Sequence, residues 1–221
     1  MELYKEFQKY ATKHAGISGL NLHRYEDSMT PYILEEREMR VTQMDIFSRL
    51  MMDRIIWIAS PVHEVMASII QAQLMFLDNL EVSDIRMHID TPGGCVKSGL
   101  SIIDVMDYIA SDIATINTGM CASMGSVLLA KGTKGKRHSL RYSKVMIHQV
   151  SGGAVGNIAD MEITMAEAKK YNEILFNILG ESCGKTAAQV KKDATRDKWL
   201  TSEEAIAYGI IDGTVQPKRK K

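Results

Sequence analysis

Cysteine is scarce in this chain and odd in number. Three occur, at positions 95, 121 and 183, and none of them forms a C-x-x-C pair. That argues against a disulfide framework and a thiolate zinc site, and it fits a reducing compartment. Net charge is missing too, because 27 basic side chains balance 27 acidic ones. Without a basic excess the chain is a poor candidate for nucleic-acid binding, and without an acidic excess it is a poor candidate for charge-driven disorder. No apolar run approaches the roughly 18 residues needed to cross a bilayer. The opening Met1-Glu2-Leu3-Tyr4-Lys5-Glu6 lacks the apolar centre of a signal peptide. A cytoplasmic protein is expected. Internal repeats and low-complexity stretches are absent as well.

What is present suffices for a core. The 221 residues are 45% hydrophobic, enough for one domain that closes without covalent staples. Residues 1–30 are polar and mixed, and read equally as a short helix, a flexible arm or a removable leader; Pro31 ends them. Residues 32–40 are charged, and extended or helical. From 54 onward strands and helices alternate. Residues 54–58 form a β-rich apolar run. Ser60-Pro61 reads as N-cap and first residue of a helix reaching about 78. A second strand, 85–89, runs into the turn Thr91-Pro92-Gly93-Gly94. A helix over 98–110, a strand over 113–118 ended by Gly119, a helix over 123–130 and a strand over 144–149 follow. Gly152 and Gly153 come next, then the longest helix, about 157–179, with a stripe from Ile158 through Met165 to Leu175 and Gly180 at its C-terminal end. Short helices over 187–194 and 202–208, a last strand at Ile210-Ile211 and a basic tail from Pro217 complete the pattern, which is that of an α/β fold.

Composition cannot select a catalytic trio from six histidines and still more serines and aspartates. Local context offers four segments. In Gly119-Met120-Cys121-Ala122-Ser123-Met124-Gly125-Ser126, small residues surround one serine at a strand-to-helix junction. A sharp turn there exposes the hydroxyl and sets the next backbone N–H at a helix start, where an oxyanion is stabilised. An ordinary N-cap serine with close packing fits the same residues. Thr91-Pro92-Gly93-Gly94 lets a backbone N–H approach a ligand, or is a plain turn. His148, inside the apolar strand Val145-Met146-Ile147-His148-Gln149, is a candidate for chemistry or a satisfied structural histidine. Thr195-Arg196-Asp197-Lys198-Trp199-Leu200 is the fourth segment, and its Asp197 fits a surface charge or a helix cap equally well.

Taken together, in this order and spacing, these segments resemble the Clp protease proteolytic-subunit (ClpP) family. The likeness runs from about residue 31 to 214. It rests on Ala122-Ser123-Met124-Gly125, on Met146-Ile147-His148-Gln149, on Arg196-Asp197 followed by Trp199-Leu200, on the glycine turn, on Gly132 to Arg137, and on Asp45-Ile46-Phe47-Ser48-Arg49-Leu50. The resemblance implies that Ser123 is the nucleophile, His148 the general base and acid, and Asp197 the orienter of His148. It implies an oxyanion hole on the backbone N–H groups of Gly94 and Met124, and substrate-strand pairing along Gly152 and Gly153. The implied fold is a crotonase-like α/β spiral of β-β-α units with a projecting handle formed by the long helix. It further implies two stacked seven-membered rings, an AAA+ unfoldase partner that uses the ATP, unfolded polypeptides as substrates, and no cofactor or metal on this chain. Residues 1–30 are then an N-terminal arm or propeptide, 31–214 the protease domain and 215–221 a basic tail.

Several positions depart from the family pattern. Arg86 and His88 stand where Tyr-x-Tyr is common, in the strand that lines the apolar pocket for an unfoldase loop, so a weakened apolar anchor is expected. Val150 replaces a proline, and Thr195 replaces an acidic residue of the inter-ring contact. These changes leave room for a non-catalytic ring subunit acting as a scaffold. A crotonase-type acyl-CoA enzyme is a further alternative, but it would not need Ser123, His148 and Asp197 together.

Overall fold

Short β-branched runs and longer amphipathic runs alternate along the chain, and most become the element their period favours. The computed structural model describes residues 2–19, 22, 32–37 and 40–216. Helix α1 spans Glu2–Lys13, so the first part of the opening segment is helical. Its Phe7 and Ala11 are buried, with Ile17 and Leu22 after it, and Phe7 meets Phe76 edge-to-face at 5.7 Å. Burying a side chain of that size is worth about 1.5–3 kcal/mol. The expected break at Pro31 and the basic tail from Pro217 lie outside the described residues.

Strands β1 (Tyr32–Arg37) and β2 (Arg40–Asp45) form an antiparallel hairpin. Helix α2 (Ile46–Met52) starts at Asp45, whose side chain caps Ser48 N. Then come β3 (Ile55–Ile58), α3 (Glu64–Leu80), β4 (Ile85–Thr91), α4 (Val96–Tyr108), β5 (Ile113–Ala122) and α5 (Met124–Ala130). The remainder is β6 (Arg137–Ser139), β7 (Lys144–Ile147), α6 (Ile158–Cys183), α7 (Ala187–Asp193), β8 (Lys198–Leu200), α8 (Ser202–Tyr208) and β9 (Gly213–Thr214).

Seven of these strands form one sheet, and its five-strand path β3-β4-β5-β6-β9 is parallel throughout. Strand β7 pairs in parallel with the far end of β5, and β8 runs antiparallel to β7. Helices cover one face of this sheet: Met66, Ile70, Leu74, Ile102 and Ile103 are buried in one core with Ile85, Met87 and Ile89 of β4, while Arg86 and Asp90 on the other face of that strand are exposed.

The differences from the sequence expectation have local causes. Helix α3 begins at Glu64 with His63 as N-cap, not at Ser60-Pro61. Residues 60–62 are held extended instead, because Val62 N–H donates to Gly93 O at 2.7 Å and Thr91 Oγ1 donates to Ser60 O. Strand β5 continues through Gly119. A register shift falls between Ile89 and Thr91 of β4, where the Asp90 carboxylate takes the Met120 N–H at 2.9 Å in place of a backbone oxygen. Helix α6 runs past Gly180 to the left-handed Gly184, φ 66°. Ile210 and Ile211 are buried outside any strand, and the last pairing falls on β9.

One buried ion pair ties the late elements together. Arg137 is nearly inaccessible and binds both Asp212 oxygens, at 2.6 and 3.0 Å. It also donates to Ala130 O and Ser182 O at the ends of α5 and α6. Burial alone would raise the Asp212 pKa, but the Arg137 hydrogen bonds outweigh it and hold the carboxyl at about 2. A pKa lowered in the folded state contributes stability above its ordinary value, and that stability is lost as pH falls through the folded value. Asp212→Ala leaves a buried guanidinium unpaired, so a loss of about 3–5 kcal/mol is expected at pH 7 from urea unfolding, shrinking as pH drops from about 4 towards 2.

Candidate active site

Three parallel strands end at one edge of the sheet, and a fourth strand starts there. Ligands in α/β sheets collect at such carboxyl-end edges. Strand β4 delivers Gly93-Gly94, β5 delivers Ser123 and β7 delivers His148. Strand β8 runs the opposite way, so its preceding residue, Asp197, arrives at the same edge.

Ser123 follows β5 directly, with φ 53° and ψ −123°. With Arg54 it is one of two non-glycine residues at positive φ among the described residues. Such a backbone costs about 1–3 kcal/mol and persists only where neighbours impose it. Here Ser123 N–H donates to Met146 O at 2.9 Å, and Ser123 O accepts from Ser126 N and Oγ at 3.0 and 2.6 Å. The resulting sharp turn presents the hydroxyl, as in a nucleophile elbow.

His148 is the residue after β7. The pairing of Ala122 with Met146 sets the two strand ends side by side, and His148 Nε2 lies 2.8 Å from Ser123 Oγ. In the antiparallel β7–β8 pair, Ile147 faces Lys198. One step further along that register, His148 faces Asp197. Directly opposed residues share a face, and Asp197 Oδ1 is 3.3 Å from His148 Nδ1. Three residues distant in sequence thus stand hydroxyl, imidazole, carboxylate.

The glycine turn closes the other side. A Cβ on Gly93 would lie 2.6 Å from Ser123 Cβ, and one on Gly94, at φ 145°, would lie 2.3 Å from Val62 O. The parallel bridge between Val62 and Gly94 uses Gly93 O and Cys95 N. By the geometry of a parallel pair, the N–H of Gly94 itself faces away from Val62. Gly94, Ser123, Met124 and His148 all border one small cavity of about 50 Å³. Its apolar wall is Val96, Val127, Leu175, Phe176 and Leu179. Gly152 and Gly153 are exposed, with open space where a side chain would stand. The start of their segment is fixed by Val150 N–H donating to Asn172 Oδ1 at 2.7 Å.

The structure therefore brings Gly94, Ser123, Met124, His148 and Asp197 together and sets Gly152 and Gly153 in the segment just beyond. Sequence reasoning missed Val62, Asn172 and the apolar wall. Leu175 stood in the α6 stripe, but a period of 3.6 does not say which part of a stripe meets a cavity. No group of three or more His, Cys, Asp or Glu able to hold a metal occurs among the described residues, and no helix among them is long and apolar enough to cross a membrane.

Comparison with known proteins gives the family of the chain. A family model described as Clp protease matches residues 36–218. The chain is 47% identical over 220 residues to the ATP-dependent Clp protease proteolytic subunit of Porphyromonas gingivalis strain W83, covering 97% of this chain and 99% of that one. It is 49% identical over 212 residues to the protein of the same name from Bacteroides fragilis strain YCH46, covering 94% and 96%. The chain belongs to the Clp protease family.

Proposed function

We propose that this chain is the proteolytic subunit of an ATP-dependent Clp protease, a serine endopeptidase with Ser123, His148 and Asp197 as its working trio. The observation that carries the proposal is that His148 stands between Ser123 Oγ, 2.8 Å from Nε2, and Asp197 Oδ1, 3.3 Å from Nδ1, in a chain of this family.

A serine hydroxyl is a weak nucleophile until a base takes its proton. With its proton on Nδ1, facing Asp197, His148 offers a free lone pair on Nε2 to the Ser123 hydroxyl. Ser123 Oγ attacks the scissile carbonyl carbon as its proton moves to Nε2. The carbonyl oxygen becomes an oxyanion, received by the N–H groups of Gly94 and Met124. Collapse breaks the C–N bond, and Nε2 returns the proton to the leaving amine. Water, deprotonated by the same nitrogen, then releases the acyl group. No step uses a metal or cofactor on this chain. The substrate is an extended polypeptide pairing along Gly152 and Gly153, with a medium-sized apolar side chain in the cavity walled by Val127 and Leu179.

The assembly follows from the same reading: two stacked seven-membered rings, with an AAA+ unfoldase supplying unfolded polypeptide at the expense of ATP. Its support is the N-terminal half of α6, whose Ile158, Ile163 and Met165 are exposed on the single chain. His88 is less foreign to the unfoldase pocket than the sequence suggests. It stacks on Trp57 at 5.0 Å, and burial, with help from Arg86, pushes its pKa down. At neutral pH it is an uncharged ring, and Arg86 is the charge that remains.

The test is active-site titration with a fluorophosphonate, followed by peptide mapping. One adduct per chain on Ser123, with peptide hydrolysis lost in proportion, is expected. Labelling on another serine, or hydrolysis persisting in fully labelled protein, contradicts the proposal.

A further inference from the structure

Asp197 is the least supported member of the trio. Its side chain is 60% exposed, and among the described residues its carboxylate has one polar partner, His148 Nδ1 at 3.3 Å. A carboxylate that orients a ring must itself be held, and nothing bonded to its own oxygens does that. Its backbone has to.

That backbone is a four-residue connection, 194–197, between the end of α7 at Asp193 and the start of β8 at Lys198. Its first part is tied to the segment beside the base: Gln149 N–H donates to Ala194 O at 2.9 Å, and Gln149 Nε2 donates to Thr195 O at 3.3 Å. Its base is closed by side chains. Lys198 Nζ reaches Asp193 Oδ1 at 3.2 Å, and the Tyr208 hydroxyl, from a nearly buried side chain, donates to Asp193 Oδ2 at 3.0 Å. The Lys198 ammonium also lies 5.2 Å from the Tyr208 ring centroid, with Lys185 at 4.6 Å. Burial would raise the Asp193 pKa, but Tyr208 and Lys198 lower it. Burial and Asp193 together push the Tyr208 pKa up. The acid is therefore charged and the phenol keeps its proton to donate.

Successive residues of a strand point to opposite faces. Fixing Lys198 towards Asp193 and Tyr208 turns the preceding side chain, Asp197, towards His148. We propose that Lys198, clasped by Asp193 and Tyr208, is a positioning residue for Asp197. The inference rests on Ser123, His148 and Asp197 acting as one unit. An ion pair with both side chains partly exposed contributes little to stability, so the effect of the clasp falls on geometry, where small displacements are costly to rate.

In the full-length assembled protein, Lys198→Met is expected to lower kcat on a small fluorogenic peptide about tenfold, with KM and thermal midpoint unchanged. Lys198→Arg restores most of the rate, and Asp193→Asn, which opens the clasp from the other side, repeats the loss. On an Asp197→Asn background, Lys198→Met adds nothing further, because no carboxylate remains to be aimed. Wild-type kcat in both Lys198→Met and Asp193→Asn overturns the inference, as does the same tenfold factor persisting on the Asp197→Asn background. Full hydrolysis by Ser123→Ala would instead overturn the active site itself. Loss in Ser123→Ala beside unchanged Lys198→Met overturns only the clasp.

Discussion

Ser123→Ala lowers peptide turnover about a million-fold, measured as kcat on a fluorogenic peptide by the assembled protein. The size of the effect follows from the unit in which Ser123 works. Without Oγ there is no acyl-enzyme, and water must attack the carbonyl directly. His148 stays in place, since its backbone is held by the pairing of β7 with β5 and β8, but it has lost the hydroxyl 2.8 Å away. His148→Ala is expected to cost about as much, and the double variant scarcely more than either one, because groups that act as a unit are grossly non-additive. What survives is the contribution of binding and of the two N–H donors. The fold survives as well: the methyl group of alanine is accommodated where the Ser123 Cβ already stands, and the bonds that impose the strained backbone, to Met146 O and from Ser126, do not use the side chain. A serine variant that hydrolysed peptides within tenfold of the parent would mean that another group is the nucleophile.

Asp197→Asn is the second large effect, about 1000- to 10,000-fold in kcat, with KM little changed. An amide that turns its NH2 towards His148 Nδ1 makes that nitrogen the acceptor. The proton then sits on Nε2 and faces Ser123 Oγ, so the base has nothing with which to accept. The lower end of the range suits this protein, because the carboxylate is exposed to solvent and water can partly restore the other tautomer. Asp197→Ala, which opens the space to water without presenting an amide donor, is expected to be the milder change. Equal rates for Asn and parent would show that a different acid orients His148.

Much of this site was legible in the sequence because its parts sit at strand ends. Small residues around Ser123 and the glycines after β4 each mark a turn, and turn chemistry is local; His148 stands out only as a polar ring within an apolar strand. Their meeting was not local. That Asp197 faces His148 depends on the β7–β8 register, which pairs positions such as Ile147 and Lys198 that lie far apart in the chain, and periodicity carries no information on which strands pair. The same blindness explains the start of α3. Ser60-Pro61 has the composition of a helix start, yet residues 60–62 bond to Thr91 and Gly93, so tertiary pairing overrode a local preference. At the end of α6 two glycines competed as the stop. Gly180 packs tightly against the Lys185 backbone, where a Cβ would lie 2.8 Å from Lys185 O, while Gly184 adopts the left-handed conformation that ends the helix. Composition alone gave no means of assigning the two jobs.

The most direct measurement is a crystal structure of the fluorophosphonate adduct of the assembled protein. The account predicts phosphorus bonded to Ser123 Oγ, His148 Nε2 next to the adduct, and one phosphoryl oxygen about 2.7–3.1 Å from both Gly94 N and Met124 N. Phosphorus on any other side chain, or a phosphoryl oxygen turned away from those two amides with His148 out of hydrogen-bonding reach, would contradict it.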